Sequence, residues 1–254
     1  MTVAARYDTI GLGYSRTRRE EPAIRERVLT ALGDARTVVN VGAGAGSYEP
    51  RDRYVIAIEP SDVMAAQRPR DLAPAIRASA AALPLRDQAV DAAMAILTVH
   101  HWDEQEQGVR ELRRVARERV VILTYDIDVC ARMWLLADYA PEIAALDRQI
   151  FPRPEELGHW LGGQFTVEVV PIPRTCADWM LGAFWAHPER VLAPQARAGT
   201  SGFSRIPPAA VDRVVADVER DLRSGAWDER YGELRKLESF DAGLRLVVAT
   251  TDSC

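Results

Sequence analysis

The residues able to do chemistry gather at a few points of the chain. Gly42, Gly44 and Gly46 alternate in Asn40-Val41-Gly42-Ala43-Gly44-Ala45-Gly46-Ser47, directly after the β-branched run Thr37-Val38-Val39. Glycines at a strand-to-helix turn let backbone approach a ligand closely and take positive φ. Glu59 stands 17 residues beyond Gly42, at the end of the next apolar run. A carboxylate there can accept two ribose hydroxyls of an adenosine-containing ligand. His100 and His101 follow a third run, and Asp126 follows a fourth. Imidazole titrates near neutral pH, so one of the pair could serve as a general base with Asp126 orienting it. Cys130, Cys176 and Cys254 are too far apart for a Cys-x-x-Cys site, and the four histidines lack His-Glu-x-x-His spacing; no metal is expected.

Strands and helices must alternate to bring these points together. Apolar runs occur at Thr37–Val41, Tyr54–Ile58, Ala92–Val99 and Val120–Leu123, and each ends in glycine, acid or histidine. Helix-like stretches lie at Pro22–Gly33, Asp62–Gln67 and Glu104–Ala116. Continuous apolar strands alternating with helices predict a parallel, doubly wound α/β sheet covered on both faces. The polar strand ends then share the carboxyl edge, where ligands bind in open sheets. Further on, 126–161 reads as helical and aromatic, Phe165–Val170 as a strand, 174–241 as a helical insertion, and Leu244–Ala249 as a final strand. An insertion at that place could form a lid over the carboxyl edge.

Composition narrows the chemistry. The 254 residues carry 32 Lys and Arg against 37 Asp and Glu, a formal net charge of −5, which argues against a nucleic-acid partner. Lys236 is the single lysine and follows no glycine loop, so P-loop, Schiff-base and strand-lysine kinase chemistry are unsupported. No signal-type apolar segment or membrane-length run is seen, and a cytoplasmic location without membrane association is expected. Length fits one structural domain, with 1–126 as N-terminal cap and cofactor half and 127–254 completing the sheet and adding the lid. A monomer or homodimer is expected.

The glycine spacing also separates cofactors. A dinucleotide fingerprint is Gly-x-Gly-x-x-Gly, whereas the third glycine here comes one place early and implies no pyrophosphate. A carboxylate-and-amine ligand such as S-adenosylmethionine fits better. Four ordered blocks then carry a resemblance. They are Val38 to Gly46, Ile56-Ala57-Ile58-Glu59-Pro60-Ser61, Ala78 to Leu85, and Asp91-Ala92-Ala93-Met94-Ala95 through His100-His101-Trp102. With Glu111-Leu112-Arg113-Arg114-Val115 following, residues 7–126 resemble a class I S-adenosylmethionine-dependent methyltransferase of the small-molecule type.

That resemblance implies a Rossmann-like seven-stranded sheet and a set of roles. Gly42, Ala43, Gly44 and Gly46 would lie against the methionine and ribose portion, Glu59 and Pro60 at the ribose, Ser79 and Ala80 at the adenine, and Leu97 near the methionine end. Tyr7, Tyr14 and Arg18 belong to a segment that in similar enzymes folds over the cofactor, where Arg18 could pair with its carboxylate. His101, before His100, would face the acceptor as base, with Asp126 as partner. Tyr125, Trp134, Trp179, Phe184 and Trp185 are expected to assemble a pocket for an apolar or ring-containing small-molecule substrate. Two positions depart from the family: Asn40 stands where Asp or Glu is usual, and Ser79 where Asp often accepts the adenine amine.

Competing readings are a nicotinamide-dependent oxidoreductase, which the glycine spacing disfavours, and a non-catalytic adenosine-ligand binding protein, which the polar strand ends disfavour. An RNA or protein methyltransferase lacks support, since no basic RNA-binding appendage and no Asn-Pro-Pro-Tyr-type motif is present.

Overall fold

The computed structural model describes residues 19–250. After a helix at Pro22–Ala31, strands β1 (Thr37–Val41), β2 (Tyr54–Ile58), β3 (Ala75–Ile76), β4 (Val90–Ile96), β5 (Ala116–Tyr125) and β6 (Gln164–Val169) follow in chain order. A two-stranded ribbon of β7 (Ile172–Pro173) and β8 (Ser239–Phe240) precedes β9 (Leu244–Thr250). The seven-stranded sheet has the order β3-β2-β1-β4-β5-β9-β6, with β9 antiparallel to both its neighbours and the β1–β5 pairings parallel. This is the expected doubly wound α/β sheet.

Side chains on successive strand positions go to opposite faces. Val38, Met94, Val121, Leu123 and Leu246 face a core shared with the Pro22–Ala31 helix and the aromatic second half. Val39, Val41, Ala93, Ala95, Val120, Ile122 and Val247 face a second core under the helices Gln105–Val115 and Pro154–Leu161. Both faces are therefore covered, which accounts for strand sequences that are apolar without alternation.

The helical insertion 174–241 falls between β6 and β9, and its base is tied to the sheet. The Val170 N–H donates to the Leu244 carbonyl at 3.0 Å, and the Asp126 N–H to the Gly243 carbonyl at 2.7 Å. Its longest helix, Pro208–Ser224, ends at Gly225 in the left-handed region. The insertion reaches the carboxyl edge near the glycine turn: Tyr48 Oη donates to Asp178 Oδ2 at 3.1 Å, and Glu21 Oε2 accepts from the Ala177 N–H at 2.8 Å. Glu21 is also the N-cap of the first helix, so one carboxylate joins that helix to the lid.

Among the described residues, no helix is long and apolar enough to cross a membrane.

Candidate active site

β1 carries the turn that shapes the site. Gly42 and Ala43 both donate to the Ile58 carbonyl at 2.9 Å, which pulls the start of the turn onto the end of β2. Gly42 has φ +72°, and a Cβ there would lie 2.1 Å from Thr98 Oγ1, so no side chain is tolerated. Gly46 is different. Its missing Cβ would meet Leu72 Cδ1 at 2.2 Å, so this third glycine makes room for packing under the turn and lines neither of the two clefts described next.

Two clefts open along the carboxyl edge and share Gly42, Pro60 and Trp102 in their walls. One, of about 790 Å³ including space open to solvent, is lined by Asn40, Gly44, Tyr48, Glu59, Leu97 and His101 among others. The other lies between Ser79, Ala80 and Trp102. Helix Gln105–Val115 holds the outer wall of the second cleft. Its Glu111 accepts from the Leu83 N–H at 2.8 Å, and Arg114 donates to the Leu85 carbonyl at 2.8 Å. The joined volume suits a ligand with a flat ring at one end and a polar chain at the other.

Glu59 lines the first cleft, next in sequence to Pro60, which both clefts share. Oε2 accepts from the Gly44 N–H and Oε1 from the Ser61 N–H, both at 2.8 Å, so each oxygen keeps capacity for one further donor. Burial pushes its carboxyl above the usual carboxylate range, against the two N–H donors and the positive charge of Arg68. A vicinal pair of hydroxyls would supply two donors and offset that burial. Ser79 is exposed; its hydroxyl accepts from the Ala81 N–H at 3.2 Å and can still donate.

β4 ends at Ile96, earlier than its apolar run, because Leu97 adopts φ +51° and the chain then turns through Val99–His101. Such a conformation is costly for leucine and is found where structure around it dictates it. Here the Leu97 N–H is held by the Leu123 carbonyl at 2.8 Å. The turn sets the two histidines differently. His101 lines the first cleft, whereas His100 stacks on Phe151 with ring centroids 3.8 Å apart and planes 15° apart.

Asp126 does not pair with either histidine. Its Oδ1 accepts from the Asp128 and Val129 N–H groups as N-cap of the Ile127–Cys130 helix, and Oδ2 faces Arg245 at 3.9 Å. An aspartate just before a helix is spent on the free N–H groups of its first turn. The aromatic pocket is not assembled either. Trp134, Phe184 and Trp185 are buried in the core that the lid shares with the sheet, where Trp134 Nε1 donates to the Trp185 carbonyl at 2.8 Å and Trp185 Nε1 to the Ile172 carbonyl at 3.1 Å. Trp179 lies beneath the Arg190 guanidinium, 5.0 Å away. Tyr125 alone of the five ends a strand of the carboxyl edge, with its hydroxyl against Gly182 of the lid.

Tyr7, Tyr14 and Arg18 lie outside the described residues. Gly42, Ala43, Gly44, Glu59, Pro60 and Leu97 line the first cleft, and Pro60, Ser79 and Ala80 the second. The sequence reading missed Tyr48, Met64, Thr98 and Trp102 as cleft walls. Of these, Trp102 adjoins the histidine pair, which was the available signal. Among the described residues, no cluster of three His, Cys, Asp or Glu could hold a metal.

Comparison with known proteins agrees with this geometry. Residues 39–124 match a family model described as Methyltransferase domain. A protein from Anabaena variabilis, provisionally described as a methyltransferase from an antibiotic biosynthesis pathway, is 29% identical, with 92% of this chain and 99% of that one covered and a TM-score of 0.84. The phosphoethanolamine N-methyltransferase 2 of Haemonchus contortus, solved with S-adenosylmethionine, shares the fold at 13% identity and a TM-score of 0.58, covering 98% of this chain and 59% of that one. No curated protein matches the sequence.

Proposed function

We propose that this chain, a class I S-adenosylmethionine-dependent methyltransferase, methylates a small molecule admitted between the sheet edge and the lid. The observation that carries the reading is the pair of clefts sharing Gly42, Pro60 and Trp102, with Glu59 and His101 both in the wall of the first. The cofactor fits the residues present. Gly42 and Gly44 line the first cleft, Glu59 holds two unspent acceptor positions, and the Ser79–Ala80 wall facing Trp102 suits a planar ring. When bound, the cofactor supplies an electrophilic methyl group on a sulfonium.

Each residue then has a task. Gly42, Ala43 and Gly44 would present backbone to the chain of the cofactor, Glu59 would accept the ribose hydroxyls, and Pro60, Ser79, Ala80 and Trp102 would hold the adenine. Leu97 and Thr98, in the wall of the first cleft, would exclude water from around the methyl group that the bound cofactor supplies. His101 accepts the acceptor's proton as the new bond forms, and His100, stacked on Phe151, backs it. The insertion is joined to the turn through Tyr48 and Asp178, and an acceptor entering the first cleft would be oriented by that wall. Support for a small-molecule acceptor comes from the Anabaena relative's biosynthetic context, with a net charge of −5 that does not favour nucleic acid.

Calorimetry separates the readings. Binding of S-adenosylmethionine and S-adenosylhomocysteine, with none of NAD, is the expected result; binding of NAD alone overturns the cofactor assignment. With an acceptor in hand, His101→Ala is expected to lower turnover by roughly 10²–10⁴-fold while cofactor affinity is retained. Full turnover in that variant would remove the base from His101.

A further inference from the structure

Tyr48 holds a backbone conformation that its own chemistry does not favour. It lies two residues past Gly46 at φ +64°, a region that residues with a Cβ adopt where the surroundings dictate it. Those surroundings include three polar contacts. The Tyr48 N–H donates to Glu20 Oε1 at 2.7 Å, its Oη accepts from the Glu21 N–H at 3.2 Å, and the same Oη donates to Asp178 Oδ2 at 3.1 Å. Tyr48 is 1% exposed and shares the wall of the first cleft with Ala43, Gly44 and Glu59. Hydrogen bonds also tie it back to those residues through the turn: the Gly46 N–H donates to the Ala43 carbonyl at 2.8 Å, and the Glu49 N–H to the Gly46 carbonyl at 3.4 Å.

The other end of the Tyr48 contact belongs to the insertion and is fixed there. Asp178 is buried, and its carbonyl accepts from Cys176 Sγ at 3.3 Å. The Cys176 carbonyl accepts from Arg190 Nη2 at 3.3 Å, and Arg190 Nη1 donates to the Ala183 carbonyl at 2.6 Å. One residue before Asp178, the Ala177 N–H donates to Glu21 Oε2. Residues 176–178 are therefore bonded on one side to the insertion and on the other to the turn and the first helix. A contiguous set of hydrogen bonds thus runs from the cleft wall at Ala43 to Arg190, with the Tyr48 hydroxyl as its middle link.

We infer that Tyr48 is a positioning residue whose hydroxyl couples ligand binding at the glycine turn to the seating of the insertion at Ala177–Asp178. The inference rests on the cofactor assignment above, which supplies the ligand. A ligand filling the first cleft packs against Gly44 and Tyr48 and restrains their backbone in the conformation that presents Oη to Asp178. The insertion then opens less often at this point. The coupling is reciprocal: the factor by which ligand suppresses opening is the factor that loss of the contact takes from ligand affinity. The wall where insertion meets turn is thereby firmest when the methyl donor is present.

Hydrogen exchange on the full chain, read by mass spectrometry with and without S-adenosylhomocysteine, tests this. In the unsubstituted protein the ligand is expected to slow exchange of the peptide spanning 175–181 roughly fivefold. Tyr48→Phe keeps the ring in the cleft wall and removes only the hydroxyl. It is expected to abolish that protection and to bind S-adenosylhomocysteine roughly fivefold more weakly by calorimetry. Asp178→Ala should do the same, and the double variant should bind no more weakly than either single one. Asp178→Asn, which keeps an acceptor oxygen for the phenol, should restore most of the protection. Circular dichroism reports folding; should Asp178→Ala not fold, Tyr48→Phe alone decides, through the protection it keeps or loses. Exchange at 175–181 that ligand leaves unchanged in the unsubstituted protein, or affinity losses that multiply in the double variant, overturns the inference while the cofactor assignment stands. Failure of the unsubstituted protein to bind S-adenosylhomocysteine removes both.

Discussion

The carboxyl edge of the sheet and the lid above it hold comparable sets of polar and aromatic side chains, and they use them in opposite ways. At the edge, Glu59 keeps an acceptor position on each oxygen and Asn40 a carbonyl unpaired among the described residues, both in the wall of a cleft. In the core between lid and sheet, Trp134 and Trp185 bury their rings and spend their N–H groups on the Trp185 and Ile172 carbonyls. Polar capacity left open at a cleft costs stability and marks a ligand site; aromatic surface packed and hydrogen-bonded marks a core.

Substitutions on either side of this divide should separate binding from folding. The largest effect is expected at the edge. Gly42→Ala drives a Cβ into Thr98 and should weaken S-adenosylhomocysteine at least a hundredfold by calorimetry, and unchanged affinity would deny that the turn touches the ligand. Next comes the lid. Trp185→Ala should cost about 3–5 kcal/mol in denaturant unfolding while the folded fraction binds cofactor normally. Lost binding in that folded fraction would put Trp185 back in the site.

A smaller effect concerns pH. Burial raises the Glu59 carboxyl in the free protein, so its protonated form is the better tolerated one; that share of stability is present below the usual glutamate value and fades as pH rises through the raised one. Binding should run the other way, since the ionised carboxylate accepts both hydroxyls. Affinity for S-adenosylhomocysteine should climb with pH through that raised value and level off. Glu59→Gln should flatten the climb and lower affinity roughly tenfold to a hundredfold. The smallest effect is expected at Asp126. Asparagine caps a helix about as well as aspartate, so Asp126→Asn should change turnover no more than a few-fold. A loss of a hundredfold would restore Asp126 to the chemistry.

Much of the edge was legible in the sequence because its signals are local. β1 and β2 begin and end where the β-branched runs do, and Glu59 and Gly42 stand at their tips. The misreadings share a cause, which is that a residue's use depends on what packs beside it. Asp126 serves equally well by type as a strand-end carboxylate or as a helix cap, and the helix begun at Ile127 decides. Gly46 looked like its two neighbours until Leu72 filled the space beside it. The early end of β4 rests on Leu97 at φ +51°, a conformation that nothing about leucine announces. The hydrogen bonds from Asn40 and Arg68 to Glu49 join residues 9 and 19 positions apart, beyond the reach of any spacing rule.

The place of β9 has a consequence for how the chain folds. β9 lies between β5 and β6, and residues 170–243 separate it from β6. During synthesis β5 therefore waits, with Val120, Val121, Ile122 and Leu123 on an unpaired edge, until the whole lid has been made. An apolar strand edge exposed for that interval invites pairing with another chain, and pairings this distant in sequence form slowly. β5 and β6 thus gain their shared partner only once the lid has been synthesised, and nascent chains lacking β9 carry that open edge.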